Sequence, residues 1–208
     1  MPSLLHIDSS PRAASVSSRL AAAFVAKWQQ QNPAGIVVHH NTSLEQIPYL
    51  DEATAEAFLD PSREPMPERD RALACSDRFV DELLTADVLV LGVPMWNLSI
   101  PASLKAWIDM IVREGRTFAF TATGVAPLVP PGKKVFVFCA RGGAYPAGSA
   151  MRALDFQEPY LRTIFGVIGI TQIEFIYAEH QSESPEAAAA SLTDAERILT
   201  TLAVRLIS

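Results

Sequence analysis

DVLVLGVPMWNLSIPASLKAWID, residues 87–109, is the stretch that decides the fold. After Asp87, the run Val88 to Leu91 is continuously apolar and closes on Gly92. That is the pattern of a central strand covered on both faces, since a half-exposed strand would alternate. From Pro101 the period changes: Leu104, Trp107, Ile108, Ile111 and Val112 mark one face of a helix. Pro101 sits near its first turn, where a missing N–H costs nothing. A buried strand that feeds a helix is the repeating piece of a parallel sheet. Between them lies Pro94-Met95-Trp96-Asn97-Leu98, a strand-to-helix turn that is more apolar than such turns usually are. Either it plugs the end of the sheet, or something flat and partly apolar lies against it.

The same alternation continues in both directions. Leu4 to Ile7 reads as a strand that enters the loop Asp8-Ser9-Ser10-Pro11. From Ser15, the residues Val16, Leu20, Ala21, Phe24, Val25 and Trp28 recur at helical spacing, and Asn32-Pro33 and Gly35 end that helix. Ile36 to His40 is a second strand. A weak helix over Leu50–Asp60, a proline-rich loop over Asp60–Pro67 and a longer helix over Glu68–Thr85 follow. Lys134 to Cys139 is a further buried strand, which runs into Ala140-Arg141-Gly142-Gly143-Ala144-Tyr145. A helix over Met151–Phe165 and a fifth strand over Thr171–Ala178 come next. A last helix from Ser184-Pro185 carries Leu192, Ala195, Ile198, Leu199, Leu202 and Leu206 on one face. Strands alternating with helices imply one α/β domain over residues 1–208: a doubly wound, five-stranded parallel sheet in a three-layer α/β/α sandwich. Such sheets bind ligands beyond the carboxyl ends of their strands, at the topological switch point.

Composition narrows the function classes. The chain has 208 residues, 49% hydrophobic and 19% charged, so it can bury a large core and is not a disordered type. A net charge of -6 argues against nucleic acid or an anionic membrane as the main partner. The two cysteines, Cys75 and Cys139, form no CxxC and suit a reducing compartment. The N-terminus has no basic segment followed by a long apolar one, and no apolar run reaches the roughly 18 residues of a membrane span. A cytoplasmic protein is expected.

Three loops at the carboxyl edge of the sheet carry the chemistry. The first, Ser9 to Ser17, offers hydroxyls and backbone N–H groups at the head of a helix, a natural anion site. Ser10, Ser15, Ser17 and the N–H of Val16 are its phosphate donors; the plain alternative is that Ser15 or Ser17 is only an N-cap. There is no GxGxxG and no GxxxxGK[ST] in this loop. In the second, Met95, Trp96 and Leu98 can cover a ring and Asn97 can meet a heterocycle edge. In the third, Gly142 and Gly143 let the backbone approach a ligand or take positive φ. Arg141 brings charge there unless it is an ordinary surface arginine, and Tyr145 is a candidate rim residue. A phosphate loop and two ring loops at one sheet edge point to FMN.

Three segments carry a family resemblance: Asp8 to Leu20, which reads SPRAASVSSRL from Ser10, then ADVLVLGVPMWNLSIPASLKAWIDMIVREGRTFAF, and GKKVFVFCARGGAY. They resemble the FMN-dependent NADH azoreductases, also called NADH:quinone oxidoreductases. The resemblance runs in order along nearly the whole chain. It implies a flavodoxin-like fold with sheet order 2-1-3-4-5 and a homodimer with FMN sites at the subunit interface. It further implies FMN phosphate on Ser10 and Ser15-Val16-Ser17, and the isoalloxazine on Met95-Trp96-Asn97-Leu98 and Ala140-Arg141-Gly142-Gly143. Phe118 and Phe120 resemble the aromatic segment that lines the substrate site. Trp96 and Leu98 stand where the family often has tyrosine and phenylalanine, and Ala140 where it often has serine, which bears on pocket shape and substrate range.

The activity implied is ping-pong: NADH (or NADPH) reduces bound FMN, and a quinone or an aromatic azo compound is reduced in turn. No side-chain nucleophile is needed. Alternatives on the same fold are an NADPH-dependent FMN reductase or nitroreductase and a flavodoxin-type electron carrier. The remaining titratable residues are expected to be structural. His6 reads as a satisfied buried group, His39 and His40 point to opposite faces of a strand, and the four histidines form no metal set. Cys139 and Trp107 read as packing, and Asp109 and Glu114 form no carboxylate pair.

Overall fold

The computed structural model describes residues 1–60 and 66–205. Residues 61–65 of the expected proline-rich loop, and Leu206, lie outside them. Five parallel strands form the main sheet: β1 (Ser3–Asp8), β2 (Ile36–Asn41), β3 (Val88–Pro94), β6 (Lys134–Ala140) and β7 (Gln172–Ala178). Their spatial order is β2-β1-β3-β6-β7. Counting sheet strands alone, this is 2-1-3-4-5, the flavodoxin-like order implied by the resemblance. The chain reverses direction across the sheet between β1 and β3, so their carboxyl ends frame the switch-point crevice.

The two faces are covered by different helices. On one side lie α1 (Val16–Gln31) and α6 (Pro185–Arg205), which pack Leu20, Phe24, Trp28, Ala195 and Leu199 against Leu4, Val88, Val90, Phe136 and Phe138. On the other lie α3 (Pro67–Thr85), α4 (Ala102–Ile111) and α5 (Glu158–Val167), with Phe79, Leu83, Trp107, Ile108, Leu161 and Phe165 against Leu5, Ile7, Leu89, Leu91 and Val137. Adjacent residues of β3 thus enter opposite cores, the physical reason that strand has no polar position. A short helix, α2 (Glu52–Leu59), starts where the Asp51 side chain accepts from the Thr54 N–H at 2.8 Å. Among the described residues, no helix is long and apolar enough to cross a membrane.

Three local readings need correction. The helix expected over Met151–Phe165 is two pieces: a 3₁₀ turn, Ala150–Leu154, and α5 from Glu158. Asp155 separates them because its Oδ1 accepts the N–H groups of Gln157 and Glu158 at 3.0 and 3.1 Å, which ends one coil and starts the next. A hairpin that the periodicity did not reveal joins β4 (Phe118–Thr121) to β5 (Gly124–Pro127), strands of four residues each. Ile198, read as part of the inner face of α6, is partly exposed.

Candidate active site

Ser15 is the N-cap of α1; its hydroxyl accepts from the Ser18 N–H at 3.2 Å and lies 3.0 Å from the Ser17 hydroxyl. The capping role and a phosphate role are compatible, since a hydroxyl both accepts and donates. Ser10, Ser15 and Ser17 are all buried, so their hydroxyls are held rather than solvated. Asp8 at the end of β1 sets the loop path: its Oδ1 accepts from Ser10 N–H at 3.2 Å and from Ser18 Oγ at 2.7 Å. Gly92 lets α1 pass this close to β3, because a Cβ there would stand 3.3 Å from both Asp8 Oδ1 and the Ser17 carbonyl.

The second loop is a two-residue hairpin. Trp96 N–H donates to the Ser99 carbonyl at 2.9 Å, and Ser99 N–H donates back to the Trp96 carbonyl at 3.0 Å. Asn97 and Leu98 between them have φ of 47° and 70°. Both central residues are left-handed, the signature of a type I′ turn, which normally prefers Asn-Gly. Met95 N–H donates to the Ala140 carbonyl at 2.8 Å, which ties this loop to the third. With Met95 and Trp96 so committed, any further backbone donation from the turn falls to Asn97 and Leu98.

The third loop departs from expectation twice. Neither Gly142 nor Gly143 has positive φ; Gly142 instead accommodates a close neighbour, since a Cβ there would lie 3.0 Å from Ser182 Oγ. Arg141 is no surface residue. It is 1% exposed, with Nε donating to Gln157 Oε1 at 2.9 Å and its guanidinium 4.2 Å from the Tyr177 ring centre. Its side chain turns into the protein, so charge is not delivered to the sheet edge. Tyr145 is buried as well, its ring 5.5 Å from the same guanidinium.

A cleft of about 790 Å³ is lined by Pro11, Trp96 and Asn97 together with Ser99, Ser103 and Tyr160; of the residues expected to hold FMN only Trp96 and Asn97 line it, and the first loop reaches it through Pro11. Burial, and then the nearby charge of Asp109, push the Tyr160 phenol up to about 12, so it stays neutral. Tyr145 lines a separate cleft of about 580 Å³ beside Arg141, Arg152 and Glu158. Phe118 and Phe120 lie outside both clefts; their rings meet edge-on at 5.4 Å on one side of β4, with Phe120 66% exposed.

Sequence reasoning missed the hydroxyl pair that lines the first cleft. Ser43, just past β2, donates to the Ser9 carbonyl at 2.8 Å and lies 3.1 Å from Ser103 Oγ on α4. The only signal was the polar run Asn41-Thr42-Ser43 beyond a strand beside the switch point. Gln157, fully buried behind Arg141, was missed as well, and nothing local to it marks it out. The donor chemistry and the size of the cleft fit an FMN group. Buried hydroxyls at the head of a sixteen-residue helix suit a phosphate, and a roomy, largely apolar cleft beside Trp96 and Asn97 suits a ring.

The other titratable groups behave structurally. Burial pushes the Cys139 thiol up to about 12, so it is no thiolate. His39 lies tilted against His6, ring centres 4.5 Å apart, and His40 meets Phe79 edge-on, on opposite sides of the sheet. His6 is buried, but its Nε2 has no hydrogen-bond partner, which corrects the expectation of a satisfied group. No group of three or more His, Cys, Asp or Glu among the described residues could hold a metal ion.

Residues 2–202 match the family described as flavodoxin-like fold. An FMN-dependent NADH:quinone oxidoreductase of Trichormus variabilis is 44% identical over 198 residues, 94% of this chain and 95% of that protein. Another, of Azospirillum brasilense, is 41% identical over 203 residues, 97% of each. The crystal structure of an azoreductase from Bacillus anthracis has a TM-score of 0.88 at 28% identity, covering 98% of this chain and 99% of that one.

Proposed function

The chain belongs to the flavodoxin-like family that contains the FMN-dependent NADH:quinone oxidoreductases, and from that membership we propose that it reduces quinones with NADH through bound FMN. Aromatic azo compounds are its second substrate class, each azo bond requiring two reductive cycles to give two amines. The observation that carries this reading is the largely apolar cleft lined by Pro11 of the serine loop and by Trp96 and Asn97 of the turn, with the buried Ser10, Ser15 and Ser17 at the head of α1 close along the chain from Pro11.

Bound FMN would supply two-electron hydride chemistry, drawing on NADH and delivering to the acceptor. The protein's part is placement. Ser10, Ser15, Ser17 and the N–H of Val16 would hold the phosphate with aligned donors and the positive end of α1. Met95, Trp96, Asn97 and Leu98 would carry the ring, with Asn97 facing its polar edge. Ala140, Arg141, Gly142 and Gly143 would approach it through their backbone, because the Arg141 side chain is turned away. Phe118 and Phe120 would serve the acceptor site, and Tyr145 would act through the arginine on which it packs.

We further infer a homodimer: Trp96, Phe120 and Phe156 are 46%, 66% and 56% exposed, an apolar cost that a second subunit would offset. The free Cys75 and Cys139 support a cytoplasmic location.

The deciding experiment is an anaerobic visible spectrum of protein loaded with FMN and freed of excess. Flavin bands that bleach with NADH and return with benzoquinone establish the proposed cycle. Retained flavin that NADH does not bleach favours an electron carrier. A colourless protein overturns the cofactor assignment.

A further inference from the structure

The two loops proposed to hold the ring come from different strands, β3 and β6, and one side chain joins them. Gln157 is fully buried. Its Oε1 accepts from Arg141 Nε at 2.9 Å, and its Nε2 donates to the Val93 carbonyl at 3.2 Å. Arg141 opens the third loop, and Val93 stands two residues before Met95 in the second. A side-chain amide can make both bonds at once because it presents a donor and an acceptor from one plane.

The bridge is braced on every side. Phe156, its neighbour in the chain, donates its N–H to the Leu98 carbonyl at 3.0 Å, which pins the strained turn itself. Asp155 holds the Gln157 backbone through Oδ1, while its Oδ2 stands 3.2 Å from the Arg141 guanidinium and 2.9 Å from Arg152. The Arg141 guanidinium also meets Glu179 Oε1 at 3.4 Å, and that carboxylate accepts the Tyr145 N–H at 3.1 Å. The break in the helix at residues 155–157 therefore has a use: a continuous helix would commit the Phe156 and Gln157 N–H groups to its own carbonyls.

We propose that Gln157 is a positioning residue that sets the separation of the two ring-holding loops. The inference rests on the flavin reading above for its consequence, but the bridge itself exists without ligand. A left-handed leucine turn persists only where its surroundings over-determine it, and residues 155–157 supply that constraint from outside both loops.

Two variants separate the halves of the bridge. Gln157→Glu keeps an acceptor for Arg141 and removes the donor to Val93; Gln157→Met removes both. In the apoprotein, amide hydrogen exchange over residues 93–98 should quicken about tenfold in Gln157→Glu while exchange over α1 stays at the wild-type rate. With flavin added, FMN and riboflavin should both bind about tenfold more weakly, and the visible circular dichroism of the bound ring should change. Equal weakening places the defect at the ring, because riboflavin lacks the phosphate. If Gln157→Met does not fold, Gln157→Glu carries the test. Wild-type exchange over residues 93–98 in folded Gln157→Glu overturns the proposal. A wild-type protein that retains no flavin overturns the functional reading instead, and the exchange result still decides the bridge.

Discussion

Trp96 and Ser99 face each other across a two-residue turn and exchange backbone hydrogen bonds at 2.9 and 3.0 Å. That closure leaves Leu98 at a φ of 70°, a conformation that costs a residue with a Cβ roughly 1–2 kcal/mol. Glycine removes that steric cost but loses more chain entropy on folding. Leu98→Gly should therefore unfold within about 1 kcal/mol of wild type, whereas the β-branched Leu98→Val should lose about 1–2 kcal/mol. Denaturant midpoints measure both; a Leu98→Gly protein as weak as Leu98→Val would show that the leucine side chain, not its backbone, is what matters there.

Ser17 tests the phosphate loop. Its hydroxyl is buried and within 3.0 Å of Ser15 Oγ. Ser17→Ala should weaken FMN about tenfold, equivalent to about 1.4 kcal/mol, and leave riboflavin unaffected. Parallel fluorescence titrations with the two flavins read the difference. Equal loss for both would move the phosphate elsewhere.

His6 makes stability depend on acid. Burial first, and the neighbouring His39 second, hold the His6 ring down at about 4, against 6.5 in an unfolded chain. Above pH 6.5 the ring is neutral in both states and contributes nothing to the dependence. Between pH 6.5 and 4 the unfolded chain binds a proton that the folded one refuses, so stability falls as pH falls. The loss by pH 4 is on the order of 3 kcal/mol. His6→Leu should flatten that part of the curve, and at pH 7.5 it should cost little, since it removes a buried nitrogen that has no partner. Urea midpoints for both proteins at pH 7.5, 6, 5 and 4.5 decide it; parallel curves would rule out His6 as the source.

Phe120 separates assembly from folding. With 66% of its surface exposed it supports little of the subunit's own packing, so Phe120→Ala should change subunit stability by less than about 0.5 kcal/mol. The proposed dimer, followed by sedimentation, should dissociate at about tenfold higher protein concentration, and the KM for benzoquinone should rise while flavin reduction by NADH keeps its rate. No change in either assembly or KM would remove Phe120 from the interface and the acceptor site alike.

The legibility of this chain followed the range of the forces involved. Val88–Leu91 and the face Leu104, Trp107, Ile108, Ile111 were readable because burial repeats along the chain with the period of the element. The serine loop and the Met95–Leu98 turn were readable as loops just past a strand, because Pro, Ser and Asn there end one period before the next begins. The hairpin β4–β5 was not, because four-residue strands are too short to show a period. The direction of Arg141 was not either. A lone arginine beside two glycines looks like a surface residue until Asp155, Gln157, Tyr177 and Glu179 arrive from elsewhere in the chain.

The amino-acid sequence by itself determined the five parallel strands of the main sheet and the residue types of the loops at their carboxyl ends. All of these follow from local periodicity and residue type. Only the tertiary structure decided that the Arg141 side chain turns inward, that Gly142 serves close packing with Ser182 rather than a turn, and that Gln157 ties β3 to the loop after β6. Each of these depends on hydrogen-bond partners or neighbours brought together from separate segments, and a buried donor or acceptor becomes specific only once its partner is in place.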